Sequence, residues 1–160
     1  MAIRNILQDE DPVLRKHSRP VERFDARLHT LLDDMKETLQ QANGAGLAAP
    51  QVGVLRRVVL VDTGEEAGPV ELINPEIVAT SGEQHEVEGC LSVPGVWGRV
   101  RRPYAVTVRA QDRNGGWFTL DAEGIAAVCC CHETDHLDGV LFVDKVDEFL
   151  DAEDLDDMDE

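Results

Sequence analysis

Two imidazoles and two carboxylates stand within five residues at His132-Glu133-Thr134-Asp135-His136. On a helix, positions i and i+4 share a face, so the two rings can converge on one metal ion. Glu133, next to the first histidine, is placed to handle protons on a water activated there. Two ligands make a weak site, so a third is needed. Hydrolases with this pattern draw it from a histidine six residues after the second, where this chain has Phe142, or from a glutamate on a following helix, where it has only Glu148 and Glu153 in an acidic run. An endopeptidase of that kind therefore lacks its ligand.

A better donor lies upstream, Cys90 in Glu88-Gly89-Cys90-Leu91-Ser92-Val93-Pro94. A thiolate is a soft, strong ligand for zinc or ferrous iron. Three protein ligands would leave one tetrahedral position for water, which separates catalytic from structural sites. A fourth ligand such as Cys129 would instead make a structural-zinc or binding module, in which Glu133 would have no purpose.

The third segment is Gly44-Ala45-Gly46-Leu47-Ala48-Ala49-Pro50-Gln51. Its small residues let backbone or ligand approach closely. Gln51 offers an amide that can donate to an oxyanion at an acyl centre. On the helix that carries His132, Ile125, Val128 and Cys129 precede it at helical spacing, and they would wall an apolar pocket beside the metal.

Regular elements must position these groups. Asp11-Pro12 opens a short helix to about His17. Asp25 caps a longer one with Leu28, Leu31, Leu32, Met35, Leu39 and Ala42 on one face, ended by Asn43-Gly44. Val58 to Val61, Val70 to Val78 and Tyr104 to Ala110 are rich in β-branched residues and read as strands. Asn114-Gly115 predicts a hairpin into Trp117 to Leu120. Asp121 is expected to cap a second helix over about 123–138, stopped by Gly139. The fold class expected is α+β, one domain with helices packed on antiparallel sheet.

The 160 residues suit one domain with a proper core. No stretch approaches the ~20 apolar residues of a membrane span, and residues 1–9 lack the pattern of a secretory leader, so a cytoplasmic protein is expected. Three of the four cysteines are consecutive, Cys129 to Cys131, which fits reduced thiols rather than a disulfide framework. Net charge is −17, and residues 144–160 hold ten acids and one base. Such acidity argues against binding DNA or RNA through phosphates, although Arg99, Arg101 and Arg102 form a local basic cluster. Val146, Phe149 and Leu150 have helical spacing, so a short docking helix is expected at the start of the acidic tail.

Together the three chemical segments resemble the peptide deformylase family, whose pattern runs G-x-G-x-A-A-x-Q, E-G-C-L-S, H-E-x-x-H in this order. The resemblance covers about residues 3–147, and it implies a catalytic domain over 1–147 followed by an acidic C-terminal tail over 148–160. It also implies antiparallel sheets packed around a central metal-binding helix. The activity implied is removal of the N-terminal formyl group from formyl-methionine of newly made polypeptides. One ferrous ion per chain is implied, replaceable by zinc, nickel or cobalt. Carried over, Cys90, His132 and His136 are ligands, and Glu133 is the general base and acid for attack by metal-bound hydroxide. Gln51 and the Leu91 N–H would hold the formyl oxygen, and Ala45, Gly46 and Gly89 would offer backbone groups to a peptide added as a strand. Ile125, Val128 and Cys129 would take the methionine side chain. Arg102 matches a family arginine, with Glu88 as its expected partner. The implied partner is a formylated nascent peptide. Membrane and DNA are not expected as partners, and any ribosome contact would not use the acidic tail.

The chain departs from the family pattern at Cys131, usually Gln, at Val87, commonly an acid, and at Trp97, where some members have an arginine near the peptide backbone. Cys131 is expected to change packing rather than chemistry. Trp97 bears on peptide preference. Many members also end in a basic helix, where this chain ends in acids.

Overall fold

The computed structural model describes residues 2–8, 10–64, 66, 68–151 and 153–155. Asp11 caps a 3-10 turn at Pro12–Arg15, its carboxylate accepting from the Val13 N–H. Helix α1, Ala26–Ala42, starts where Asp25 accepts from the Leu28 N–H and stops at Asn43, which adopts a left-handed φ of 60°. Strands β1 (Gly46–Ala48), β2 (Val58–Val61), β3 (Val70–Ser81), β6 (Ala105–Gln111) and β7 (Trp117–Glu123) form an antiparallel sheet in the order β1-β2-β3-β6-β7. Strands β4 (Gln84–Cys90), β5 (Val93–Arg102) and β8 (Val146–Leu150) form a second antiparallel sheet in the order β4-β5-β8. Helix α2, Ile125–His136, carries both motif histidines.

Side-chain alternation along β2 explains how the layers form. Val58 and Leu60 join Leu28, Leu32, Met35 and Leu39 of α1, whereas Val59 and Val61 join Ala127, Cys130 and Leu137 at α2. The five-stranded sheet therefore lies between the two helices. A third cluster, Leu14, Val93, Val100, Leu141 and Phe142, underlies the three-stranded sheet. The expected α+β class and antiparallel sheets are what the chain adopts. Among the described residues, no helix is long and apolar enough to cross a membrane.

Two sequence expectations fail. Asp121 does not cap α2, because β7 continues through Glu123 and Asp121 accepts a 2.7 Å bond from the Thr107 hydroxyl across the ladder. The turn into α2 is made by Gly124 at φ 60° and ψ −127°, a conformation that side chains disfavour. The second failure is the docking helix near 146–150. Val146–Leu150 is strand β8, pairing Val146 with Val100 and Glu148 with Arg99. Five residues cannot nucleate a stable helix, while β5 offers an open edge and opposite charges. Asp147 answers His85 at 2.6 Å and Arg101 at 3.3 Å. Glu148–Leu150, assigned from sequence to the tail, thus belong to the sheet, while Ala152 and residues 156–160 lie outside the described residues.

Beyond β8, among the described residues, the hydrogen bonds of Asp151, Asp154 and Leu155 run to one another. Deleting residues 151–160 should leave the melting temperature unchanged. Deleting 146–160 should lower it by roughly 5 °C or more, because β8 is stripped from β5. Equal losses in thermal unfolding would mean that the end of the chain supports the fold in its own right.

Candidate active site

The second sheet delivers the cysteine through an irregular pairing. Glu88 faces Gly98 and Cys90 faces Val93, so Gly89 of β4 stands opposite the four residues Pro94–Trp97 of β5. The extra residues bow outward, and the turn Leu91–Ser92 lifts Cys90 toward α2. Cys90 Sγ comes within 3.4 Å of His136 Nε2, and one donor atom each of Cys90, His132 and His136 lie within 4.8 Å of one another. Among the described residues, this is the group of donors with metal-binding geometry, and Cys129 is not part of it.

The surroundings of the donors suit a cation. His132 Nδ1–H donates to Glu88 Oε1 at 2.9 Å, which orients the ring and leaves Nε2 for a ligand's role. Burial opposes charge on His132, yet Glu133, Cys90 and Glu88 around it raise its pKa to about 10. That is the signature of a place where positive charge, proton or metal, is welcome. His136 behaves oppositely: burial first, then His132 and Arg102, press its pKa down to about 3, so its ring is neutral and able to ligate. Its Nδ1 is buried without a hydrogen-bond partner among the described residues. A thiol sulfur and two imidazoles converging in this way fit a divalent first-row metal.

Behind the donors runs a charged brace. Arg102 holds Glu88 in a fork, Nε to Oε2 at 2.9 Å and Nη2 to Oε1 at 3.0 Å. Its remaining nitrogen Nη1 reaches Asp135 at 2.7 Å, and Lys145 meets the same Asp135 oxygen at 3.1 Å. The Arg102 and Glu88 side chains are each only 3% exposed. Burial works against the Glu88 charge, but hydrogen bonds from His132 and Arg102 hold its carboxyl below the usual range.

Glu133 is also buried, and its Oε1 has no hydrogen-bond partner among the described residues. Burial, only partly offset by His132, lifts its pKa to about 7. A carboxyl poised near neutrality can take up a proton and give it back. Gln51, in a 3-10 turn after β1, is fixed by the Ala48 N–H donating to its Oε1 at 2.9 Å. Its Nε2 donates to Ser92 Oγ at 3.0 Å and points at Cys90 Sγ, 3.6 Å away.

A cleft of about 530 Å³ opens over these groups. Every candidate site residue named from the sequence borders it except His136 and Arg102. Ala45, Gly46, Gly89 and Leu91 line it, as do the apolar residues Ile125, Val128 and Cys129. Burial pushes the Cys129 thiol up to about 12, so it stays neutral and serves as apolar wall. Trp97 lies across Gly89 at the rim, and Cys131 is packed in the core. Sequence reasoning missed Asp135 and Ser92. Both stood inside motifs already quoted, but their partners are distant in the chain, so nothing local pointed to them.

Residues 3–151 match the family model described as polypeptide deformylase. The chain belongs to the polypeptide deformylase family. It is 59% identical to a peptide deformylase of Caldicellulosiruptor bescii, over 97% of this chain and 92% of that protein. It is 56% identical to one of Acetivibrio thermocellus, over 97% and 90% respectively. The fold is similar to the crystal structure of a peptide deformylase from Legionella pneumophila, with TM-score 0.87 and 44% identity over 99% of this chain and 96% of that one. It is equally similar to the Thermotoga maritima structure, with TM-score 0.88 and 39% identity over 91% and 99%. The chain is thus an enzyme of the deformylase type, acting on the N-terminal formyl group of nascent peptides.

Removing one member of the brace should expose its role. Arg102→Ala leaves the buried Glu88 with His132 as its remaining partner, which should cost about 3–5 kcal/mol of stability. Metal affinity should fall about 10–100-fold, because His132 loses its fixed partner. Thermal unfolding and metal titration check both, and unchanged metal affinity would show that the brace does not aim the ligands.

Proposed function

We propose that the cleft deformylates N-formylmethionyl peptides, with Cys90, His132 and His136 holding a divalent metal, ferrous iron being the ion the family resemblance implies. When bound there, such an ion supplies a Lewis acid that lowers the pKa of water and polarises the formyl oxygen. The observation that carries the reading is Glu133: a buried carboxyl with a partnerless oxygen, poised near neutrality, one residue from a ligand and open to the cleft.

The residues then divide the reaction. Glu133 accepts a proton from the attacking water as the new C–O bond forms at the formyl carbon. Gln51 Nε2 and the Leu91 N–H donate to the oxygen that gains negative charge. As the C–N bond breaks, Glu133 returns the proton to the leaving nitrogen, giving formate and a free amino terminus. Ile125, Val128 and Cys129 take up the methionine side chain, which is long and flexible enough to fill an irregular apolar pocket. Backbone groups of Ala45, Gly46 and Gly89 align the peptide as an added strand. Arg102 and Glu88 fix the ring of His132. We place the reaction in the cytoplasm, where nascent chains are made. Contact with a phosphate-rich ribosomal surface would use faces other than the acidic tail, which such a surface repels.

Formate release from a formyl-Met peptide, measured on anaerobically iron-loaded protein, tests the proposal. Glu133→Ala should keep one metal per chain and lose about 10²–10⁴-fold in turnover. Cys90→Ala should lose the metal itself. Near-normal turnover in Glu133→Ala would remove Glu133 from the mechanism.

A further inference from the structure

Gly46 occupies the first position of β1, and its backbone does not need to be glycine. It is extended and has no positive φ, unlike Gly53 or Gly95. What excludes a side chain is Glu133. A Cβ built on Gly46 would come within 2.6 Å of Glu133 Oε2, 2.8 Å of its Cγ and 3.0 Å of its Cδ. All three nearest atoms belong to that one side chain. Alternation along β1 explains the approach: Gly46 shares a face with Ala48, which packs in the cluster of α2, while Leu47 packs in the cluster of α1. The missing methyl is thus the space in which the carboxylate lies.

We infer that Gly46 is a positioning residue for Glu133, holding the carboxylate at its working place by leaving room on β1 and walling that room with bare backbone. The inference rests on the reading of Glu133 as the proton carrier. A methyl group at position 46 must displace something. The β1 backbone is tied by pairing of Gly46 with Val61 and Ala48 with Val59, so the movable party is the Glu133 side chain. Its displacement strains the local packing enough to lower the melting temperature and disturbs the proton transfer more, because misplacing a reacting group by about 1 Å can cost on the order of a hundredfold in rate. A rival account would make Gly46 small only so that peptide backbone can approach the β1 edge. The two differ in what they disturb: the rival raises KM and leaves Glu133 where it is.

The test uses full-length, metal-loaded protein in four forms: wild type, Gly46→Ala, Glu133→Ala and the double variant. Glu133→Ala removes all three atoms that the new methyl would meet. Gly46→Ala should therefore lower the melting temperature in the wild-type background and leave it unchanged in the Glu133→Ala background. It should also lower kcat about ten- to a hundredfold, with KM within about twofold and one metal retained per chain. An equal fall of melting temperature in both backgrounds would overturn the inference in favour of a purely structural glycine. A raised KM with unchanged kcat would overturn it in favour of substrate approach. Failure of the wild type to release formate would instead count against the proposed function, while the coupling of melting temperatures would still judge the contact between Gly46 and Glu133.

Discussion

Three segments distant in sequence must meet within a few ångströms, and a buried charge is what joins them. Glu88 on β4 accepts from His132 on α2 and from Arg102 on β5, two residues before the cysteine on its own strand. Arg102 in turn binds Asp135, one residue before the second histidine. One ion-paired cluster thereby fixes the ring of His132, the backbone beside His136 and the strand that carries Cys90. Taking so many charges out of water is expensive, and such a pair repays its desolvation only when every partner is in place. This completeness sets the register between helix and sheet: a shift of one residue in either would leave a buried charge unanswered.

The brace also divides labour among the carboxylates. Glu88 is kept charged by His132 and Arg102 despite burial. Glu133, equally buried, has no cation in hydrogen-bonding contact among the described residues, and its pKa rises toward neutrality. Two glutamates in one site thus differ through their surroundings alone, one held as an anion and the other lifted toward neutrality, as the proposed proton transfer requires. The bare backbone at Gly46 adds the spatial half of that arrangement, since it gives the second carboxylate its place.

How much of this was legible in the sequence depends on whether the signal was local. The helical spacing of α1 and its Asp25 cap read directly, as did the Asn114-Gly115 hairpin and the apolar runs of β2, β3 and β6. The histidine spacing placed two donors on one helical face, and Cys90 followed from the need for a third. What could not be read were β4, β5 and β8. Charged, small and proline residues interrupt them, with no run of β-branched side chains, and their order depends on cross-strand pairs such as Arg99 with Glu148 and Arg101 with Asp147. The spacing of Val146, Phe149 and Leu150 pointed to a helix because the open edge of β5 is invisible in a local window. The Asp121 cap failed for the same reason: pairing of β7 with β6 extends the strand past it. Asp135 and Ser92 escaped because their partners, Arg102 and Gln51, lie on other elements.

The central claim is that the brace delivers one sulfur and two imidazoles to a single ion with a position left open. X-ray absorption of the protein loaded with one equivalent of zinc or iron measures this directly. The account predicts one sulfur at about 2.3 Å and two imidazole nitrogens at about 2.0–2.1 Å, with any remaining scatterer a light atom from solvent. A second sulfur, or a shell without sulfur, would contradict it.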